Sequence, residues 1–256
     1  RRQADAHLVV DQLDSIFTRQ WGSNYGPRSS DLNRGALHTL MAAGPRLGMT
    51  FTLAEVPLLL TNAGFRRRLA GLVDEPTLID FWSWYERLGT GQTAVVSPLL
   101  NKYRSLLVRP PVRNFLAQAR PSFSMEEAMS QGKIVLVRAA PGEVGEASSA
   151  TCIAILLSRL WQATLARTAL DPDQRRPMQL IVDEVARFTA LPTPLGEMLA
   201  MARNLKVGAT LATQYLGQLP ADMQADVVNT RSLIAFATTS RDAAQVAKAL
   251  PGTEAS

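Results

Sequence analysis

The stretch MQLIVDEVARF, residues 178–188, decides the fold predicted for this chain. Its apolar part is long enough for a buried strand, and it delivers two acids, Asp183 and Glu184, at the carboxyl end. A contiguous aliphatic run of this kind is typical of a parallel sheet that is covered on both faces. Ligands of open parallel sheets bind at the carboxyl edge, so the two acids are the first candidate site residues.

Apolar runs and helical patterns alternate on both sides of this stretch. Besides 178–188, strands are predicted for KIVLVRAA (133–140), GATLATQ (208–214) and SLIAFATT (232–239). Helices are predicted between and after them, over residues 149–168, 194–205, 222–229 and 241–250. Strands that alternate with helices indicate an α/β fold with a parallel sheet over residues 124–256.

The residues before Ser124 differ from the rest of the chain in hydrophobic pattern and in charge. Residues 5–20 show the apolar spacing of a helix, and short helical pieces continue from Asp31 to about Arg120 without an alternating β-branched run. The charge also divides near Ser124, with 15 basic and 9 acidic residues before it and 12 and 13 after it. We therefore expect a basic all-α domain over residues 23–123, preceded by a helix over residues 1–22 that belongs with the sheet.

Composition excludes several classes of protein. Hydrophobic residues make up 46% of the 256 residues, so the chain can bury a core. One cysteine and two histidines leave no disulfide framework, no CxxC zinc or redox site and no Ser-His-Asp triad. No membrane-spanning run and no signal peptide are expected, and the predicted location is the cytoplasm.

Four residues are candidates for chemistry at the sheet. In P-loop ATPases the first acid of a pair such as Asp183-Glu184 orders the Mg²⁺ shell and the second orients the attacking water. Gln214 follows the next strand and could contact a γ-phosphate, while Arg203 ends the intervening helix and could act as an arginine finger. The alternative is that the acids cap a strand, the glutamine caps a loop and the arginine compensates the helix dipole.

A phosphate-binding G-x-x-x-x-G-K-[ST] loop does not occur in the sequence. The one Gly-Lys pair, Gly132-Lys133, has Glu127 at the first glycine position and Ile134 at the Ser/Thr position, and it precedes a predicted strand instead of following one. We interpret Lys133 as a solvated side chain.

The helical region offers a second candidate surface, for nucleic acid. Aromatic and basic residues together can hold single strands, and both types occur here: Phe81, Trp82, Trp84, Tyr85, Arg66, Arg67, Arg68, Arg104, Arg109, Arg113 and Arg120. The alternative is that the aromatic side chains form the core and the arginines form a solvated face. Cys152 lies inside an apolar helical pattern and is interpreted as a core residue.

The order of three segments resembles the FtsK-HerA superfamily of motor ATPases. These are LIVDEVARF, LGEMLAMARNLKVGATLATQYLGQLP and LIAFATTSRDAAQVAKAL, and they are most similar to conjugative coupling proteins of type IV secretion (TraD/TraG-like). Residues 8–34, SPLLNKYRSLL and MEEAMSQGKIVLVRAAPGEVGE are similar to the borders of that family's helical insertion. The resemblance implies a RecA-like P-loop NTPase sheet, of which this chain holds the carboxyl-side part, interrupted by an inserted all-α domain.

The resemblance also implies a function and a set of roles. Asp183 matches the Walker B aspartate that holds Mg²⁺, Glu184 the catalytic glutamate, Gln214 the γ-phosphate sensor and Arg203 the arginine offered across a subunit interface. ATP would be the bound nucleotide, and a homo-hexamer would move DNA through its pore. The phosphate-binding Walker A loop is expected ahead of residue 1, so the isolated chain is expected to be inactive. Further expected partners are relaxase or secretion-channel proteins, and an anchor ahead of residue 1 would place the protein at the inner face of the cell membrane.

Two other functions stay open at this level. A non-catalytic module that recruits DNA or a secretion substrate would need no phosphate-binding loop at all. A HerA-like helicase of DNA repair would share the sheet and the site but not the conjugation role.

Overall fold

The computed structural model describes residues 2–189, 191, 193–237 and 239–249. In chain order its helices are α1 (Arg2–Trp21), α2 (Pro27–Arg46), α3 (Glu55–Thr61), α4 (Ala63–Ala70), α5 (Pro76–Arg87), α6 (Gln92–Leu107), α7 (Pro110–Leu116), α8 (Met125–Gln131), α9 (Pro141–Val144), α10 (Glu146–Ala166), α11 (Leu195–Ala202), α12 (Ala221–Val228) and α13 (Ser240–Ala249). The strands in the described residues are β1 (Met178–Val182) and β2 (Val207–Leu211).

The chain divides into two compact units. The helical unit comprises the described residues of Arg1–Ser124 and Leu136–Leu156. The sheet unit comprises those of Met125–Val135 and Leu157–Ser256. The front of the chain forms a series of helices, α1 to α7, and α1 lies in the helical unit instead of with the sheet as expected. The coarse prediction of an α/β protein is confirmed by the sheet unit.

The helical unit packs around α2. Leu32, Ala36 and Leu40 recur every four positions on this helix and are buried, as expected for the core face of a helix. Phe17 of α1 and Tyr103 of α6 are fully buried with their ring centroids 5.4 Å apart. A single core therefore joins helices that are distant in the sequence.

The predicted aromatic cluster of α5 belongs to this core. Trp82 and Tyr85 are buried, and the indole nitrogen of Trp82 donates a hydrogen bond to the Thr39 hydroxyl over 2.8 Å. A Cβ added at Gly35 of α2 would lie 2.6 Å from the Phe81 ring, so a glycine is needed for the close approach of α5. The core alternative is confirmed for Trp82 and Tyr85, while Phe81 and Trp84 pack against the same core and are partly buried.

Arg66 and Cys152 are also part of the interior. The Arg66 side chain is 3% exposed, and its guanidinium lies 4.9 Å from the centroid of the Tyr85 ring. Cys152 packs against the same core, which confirms the prediction, and its burial raises the pKa of the thiol to about 11. An ordinary cysteine thiol is far more acidic, so Cys152 is a structural residue.

In the sheet unit, β1 and β2 form a parallel pair. The register runs from Met178 opposite Val207 to Val182 opposite Leu211. The chain between the strands contains α11, as expected for a β-α-β crossover. Side chains from β1, α11, α12 and the loop after β2 form the core of this unit, which includes Val182, Leu195, Leu216, Leu219 and Met223.

Three strand predictions need correction. Residues 133–140 and the described part of 232–239 form no strand, and the latter segment includes residue 238, which lies outside the described residues. Ile134 and Ile234 are 89% and 81% exposed, so neither segment supplies a buried strand. The strand predicted over 178–188 ends at Val182. Apolar content favours a strand only where a neighbouring strand accepts its hydrogen bonds, and the described sheet supplies one such pairing. The complete RecA-like sheet thus stays a prediction.

Among the described residues, one helix has the length and composition of a membrane span, whereas the sequence analysis expected none. This segment is Glu146–Ala169, with a mean hydropathy of 1.2 in its most apolar window, of which 39% is buried. Core helices of soluble proteins have the same length and composition, so this property alone assigns no location.

Candidate functional site

The ends of β1 and β2 are joined by backbone hydrogen bonds beyond their last paired residues. The amide of Ala212 donates to the carbonyl of Val182 over 2.9 Å, and the amide of Val185 donates to the carbonyl of Ala212 over 2.8 Å. The residues that follow two parallel strands share one edge of the sheet. This carboxyl edge therefore carries Asp183 and Glu184 after β1 and Gln214 after β2.

Glu184 has an unusual backbone conformation. Its φ of 50° and ψ of 51° lie in the left-handed region, which costs an L-amino acid about 1–2 kcal/mol. The two hydrogen bonds that flank Glu184, made by Val182 and Val185, hold the chain in this turn. Strain of this kind is found at functional sites more often than elsewhere, because the surrounding structure must maintain it.

Both carboxylate oxygens of Glu184 have a partner. Nε2 of Gln214 donates to Oε1 of Glu184 over 3.0 Å. Nε of Arg187 forms an ion pair with Oε2. A 3-10 turn spans Val185–Arg187, and its Arg187 amide donates to the Glu184 carbonyl over 3.0 Å, which brings Arg187 back next to Glu184. The Glu184 side chain is 36% exposed, so solvent reaches the carboxylate.

Asp183 is the exposed carboxylate of the pair. Within the part of the chain that the structure describes, it makes no hydrogen bond or ion pair. The same described residues contain no group of three or more His, Cys, Asp and Glu side chains that could hold a metal ion. Magnesium in nucleotide enzymes is commonly held by one or two carboxylates together with substrate phosphates and water. A free Asp183 beside Glu184 fits that donor set, although it would not bind a metal ion tightly by itself.

The loop after β2 presents Gln214. Leu216 and Leu219 of this loop are buried in the core of the sheet unit, and the Leu219 amide donates to the Leu216 carbonyl over 2.9 Å. The Leu216 amide donates over 2.9 Å to Oδ2 of Asp242, a buried residue in the first turn of α13. The exposed Gln214 side chain is thus carried by a well-anchored loop.

Arg203 is the one predicted site residue that the structure does not bring to this edge. It follows α11 directly and is exposed, four residues before β2 begins, whereas Gln214 lies three residues after β2 ends. A strand rises about 3.3 Å per residue, so the five residues of β2 alone separate the two edges by about 15 Å. Arg203 therefore lies on the amino side of the sheet and has no contact with Glu184 in the same chain.

The structure agrees with the rejection of Gly132-Lys133 as a phosphate-binding loop. Gly132 has a φ of 65° and ends α8, a common role for glycine. The Lys133 ammonium is half-exposed and lies 3.3 Å from a carboxylate oxygen of Glu127. No helix begins within residues 133–140, directly after this pair, so its amides do not form a helical phosphate site.

Two site residues were missed by the sequence reasoning. Arg187 is three positions after Glu184, but the sequence pattern predicted a strand over these residues, in which side chains three apart lie on opposite faces. Asp242 follows Thr239 with the spacing of a capping box, and the Asp242 amide does donate to the Thr239 hydroxyl over 3.2 Å. The capping signal was available, but its link to the Gln214 loop depends on tertiary structure.

Comparisons with protein families, curated proteins and solved structures found no match to this chain. The interpretation of the site therefore depends on its geometry and on the sequence pattern.

Proposed function

We propose that the sheet unit is the carboxyl-side part of an ATP-hydrolysing motor that moves DNA, of the conjugative coupling type that the sequence resembles. The observation that carries this proposal is the hydrogen bond between Glu184 and Gln214 across the carboxyl edge of two adjacent parallel strands. A carboxylate that can accept a proton and an amide that can contact a phosphate oxygen are thereby joined at the edge where ligands of parallel sheets bind.

Each residue has a distinct part in this proposal. Glu184 orients the attacking water and accepts its proton, which requires a carboxylate in contact with solvent. Gln214 moves from Glu184 to the γ-phosphate when nucleotide is present, since its amide can donate to either partner. Asp183 holds the hydrated Mg²⁺ that accompanies ATP. The metal ion supplies charge neutralisation at the phosphates.

Two parts of such a site would come from elsewhere. The phosphate-binding loop is expected ahead of residue 1. Arg203 lies at the opposite edge of the sheet, so in this proposal it acts on the nucleotide of a neighbouring copy in a ring. In the proposed homo-hexamer, Arg203 would contact the nucleotide bound by the neighbouring subunit, because it is too far from the site of its own chain.

The test uses the full-length gene product and the substitution Glu184→Gln. The amide keeps the size of the side chain and can still accept from Gln214, but it cannot take a proton. Steady-state ATP hydrolysis is expected to fall about 100- to 10,000-fold, with ATP affinity changed less than about twofold. Glu197→Gln, an exposed carboxylate on α11, is the matched control and should hydrolyse ATP normally. Hydrolysis retained in Glu184→Gln would refute the proposed function.

The DNA partner is supported by the charge of the helical unit. Between Glu86 and Glu126 the sequence has six basic residues and no acid. Five of the six are exposed and form no ion pair within the described residues, namely Arg87, Arg104, Arg109, Arg113 and Arg120. Unpaired arginines without neighbouring acids are suited to phosphate contacts. The same surface would serve the second candidate function, a recruiting module without catalysis.

Fluorescence anisotropy with labelled DNA tests this surface separately from hydrolysis. The double variant Arg104→Gln/Arg113→Gln should weaken binding and lower the slope of log K against log salt by about 1.4–1.8, the value for two phosphate contacts. The control Arg19→Gln/Arg28→Gln removes the same charge from exposed positions of α1 and α2, outside the candidate surface. Equal effects of the two double variants would show that net charge alone, and not this surface, holds the DNA. If the wild-type full-length protein does not hydrolyse ATP while the Arg104/Arg113 effect holds, the recruiting module is the better function.

A further inference from the structure

A buried carboxylate links α13 to the loop that carries Gln214. Asp242 is 4% exposed, and its Oδ2 accepts a hydrogen bond from the amide of Leu216 over 2.9 Å. Gln214 lies two residues before Leu216 in the same loop. A residue of the carboxyl-terminal helix thus fixes the backbone next to the predicted phosphate sensor.

Both partners of the hydrogen bond between Asp242 and the Leu216 amide are buried, so each of them depends on it. A carboxylate is rarely buried without partners, because leaving water costs it several kcal/mol. A bond from a backbone amide to a charged acceptor is also about twice as strong as a neutral one. If Asp242 lost its oxygen, the Leu216 amide would be left buried without this acceptor. Because a buried amide without an acceptor is unfavourable, the loop would be expected to shift until the Leu216 amide reaches water or another acceptor.

The other contacts of the loop do not replace this bond. The buried side chains of Leu216 and Leu219 fix its second half, and the Gln218 amide donates to the Tyr215 carbonyl over 3.2 Å. The Thr213 hydroxyl contacts the Tyr215 carbonyl and Oε1 of Gln218 at 3.3 and 3.2 Å. These bonds are local to the loop. The side-chain amide of Gln224 on α12 donates to the Leu219 carbonyl over 2.7 Å, but at the end of the loop away from Gln214, whereas the Asp242 bond ties α13 to the part next to Gln214.

We propose that Asp242 is a positioning residue that holds Gln214 within hydrogen-bonding reach of Glu184. This inference rests on the proposed function, because it gives Asp242 a role through Gln214. Movement of α13 would displace the Leu216 amide and with it the Gln214 amide. The position of α13 is thereby coupled to the contact between Gln214 and the γ-phosphate.

A double-mutant cycle in the full-length gene product tests the coupling. Gln214→Ala and Asp242→Ala are each expected to lower kcat by about 10- to 100-fold, since a small misplacement of a catalytic group has effects of that size. KM for ATP should change less than about twofold. The double variant should be no slower than Gln214→Ala alone, because Asp242 acts only through Gln214.

Matched variants separate positioning from stability. Ala244→Gly destabilises α13 at an exposed position and leaves the Thr239 and Leu216 contacts of Asp242 in place. This variant should lose stability yet keep the wild-type kcat. Asp242→Asn retains an oxygen that can accept from Leu216, so it should recover most of the activity that Asp242→Ala loses.

The outcomes distinguish the inference from the proposed function. If the losses in kcat of the two single variants multiply in the double variant, Asp242 has only a structural role and the inference is wrong, although the function stands. ATP hydrolysis retained in Glu184→Gln would refute both the proposed function and the inference about Asp242. Should Asp242→Ala not fold, hydrogen exchange on the wild-type protein decides the matter, since the Leu216 amide must be protected. Rapid exchange of that amide would overturn the inference.

Discussion

Replacing Glu184 with glycine should make the sheet unit more stable than replacing it with alanine. Both substitutions remove the side-chain contacts with Gln214 and Arg187, so these losses cancel in the comparison. What remains is the backbone at φ 50° and ψ 51°. The left-handed conformation destabilises the folded state by about 1–2 kcal/mol for alanine and by almost nothing for glycine. The greater flexibility of glycine in the unfolded chain lowers the free energy of unfolding and offsets part of this advantage.

The net expectation is that Glu184→Gly exceeds Glu184→Ala by about 1 kcal/mol in free energy of unfolding. With a urea dependence of roughly 2 kcal/mol per molar, the two midpoints should differ by about 0.5 M. Urea unfolding followed by circular dichroism measures this shift. Neither variant should hydrolyse ATP, because both lack the carboxylate.

Glu197 of α11 provides the control, because it is exposed and lies in a regular helix. There glycine should be less stable than alanine by about 1 kcal/mol, which is the reverse sign. The two positions therefore differ by about 2 kcal/mol in the glycine–alanine comparison. If glycine is the less stable residue at position 184 as well, the left-handed turn does not exist and the strain argument for the site fails.

Two further predictions concern the core of the helical unit and the proposed ring. Arg66→Ala should lower the free energy of unfolding by about 2 kcal/mol, because it removes a buried side chain whose guanidinium pairs with Glu86 over 2.8 Å and lies over the Tyr85 ring. The neighbouring Arg67 is 74% exposed and 3.9 Å from the same carboxylate, so Arg67→Ala should cost less than about 0.5 kcal/mol, and equal costs in denaturant unfolding would contradict this account. In the full-length protein, Arg203→Ala and Glu184→Gln should each be inactive in ATP hydrolysis, but mixed subunits should recover activity where an intact Glu184 meets an intact Arg203. No recovery on mixing would place Arg203 in another role.

The sequence predicted the elements whose pattern is local. The apolar spacing of α2, α10 and α11 repeats at the period of a helix, so these helices were predictable to within a few residues. The segments that became β1 and β2 were predictable because aliphatic runs end in polar residues with one helix between them. The meeting of Glu184 and Gln214 followed from the parallel direction alone, without any knowledge of side-chain positions.

The failures share a physical cause, which is dependence on distant partners. Residues 133–140 have the composition of a strand, but composition does not supply a neighbour with free hydrogen-bonding groups. The burial of Arg66 could not be read from a run of three arginines, since only Tyr85 and Glu86, about twenty residues away, distinguish it from Arg67. The same holds for Asp242, whose partner Leu216 is 26 residues earlier in the chain.

A left-handed backbone alone would not identify the site, because Lys206 has one too. Its φ is 54°, and its carbonyl accepts from the Met178 amide over 3.0 Å, so this residue serves to start the pairing of β1 with β2. Glu184 differs in three respects that act together. It lies at the carboxyl edge of the sheet, its side chain is bound on both oxygens, and one of those partners comes from the adjacent strand. A conformation that only begins a sheet needs no particular side chain, whereas the turn at Glu184 fixes the direction of a carboxylate. Glycine at position 184 therefore tests the left-handed turn through stability and the role of the carboxylate through ATP hydrolysis. Glycine at Lys206 would test only the left-handed turn.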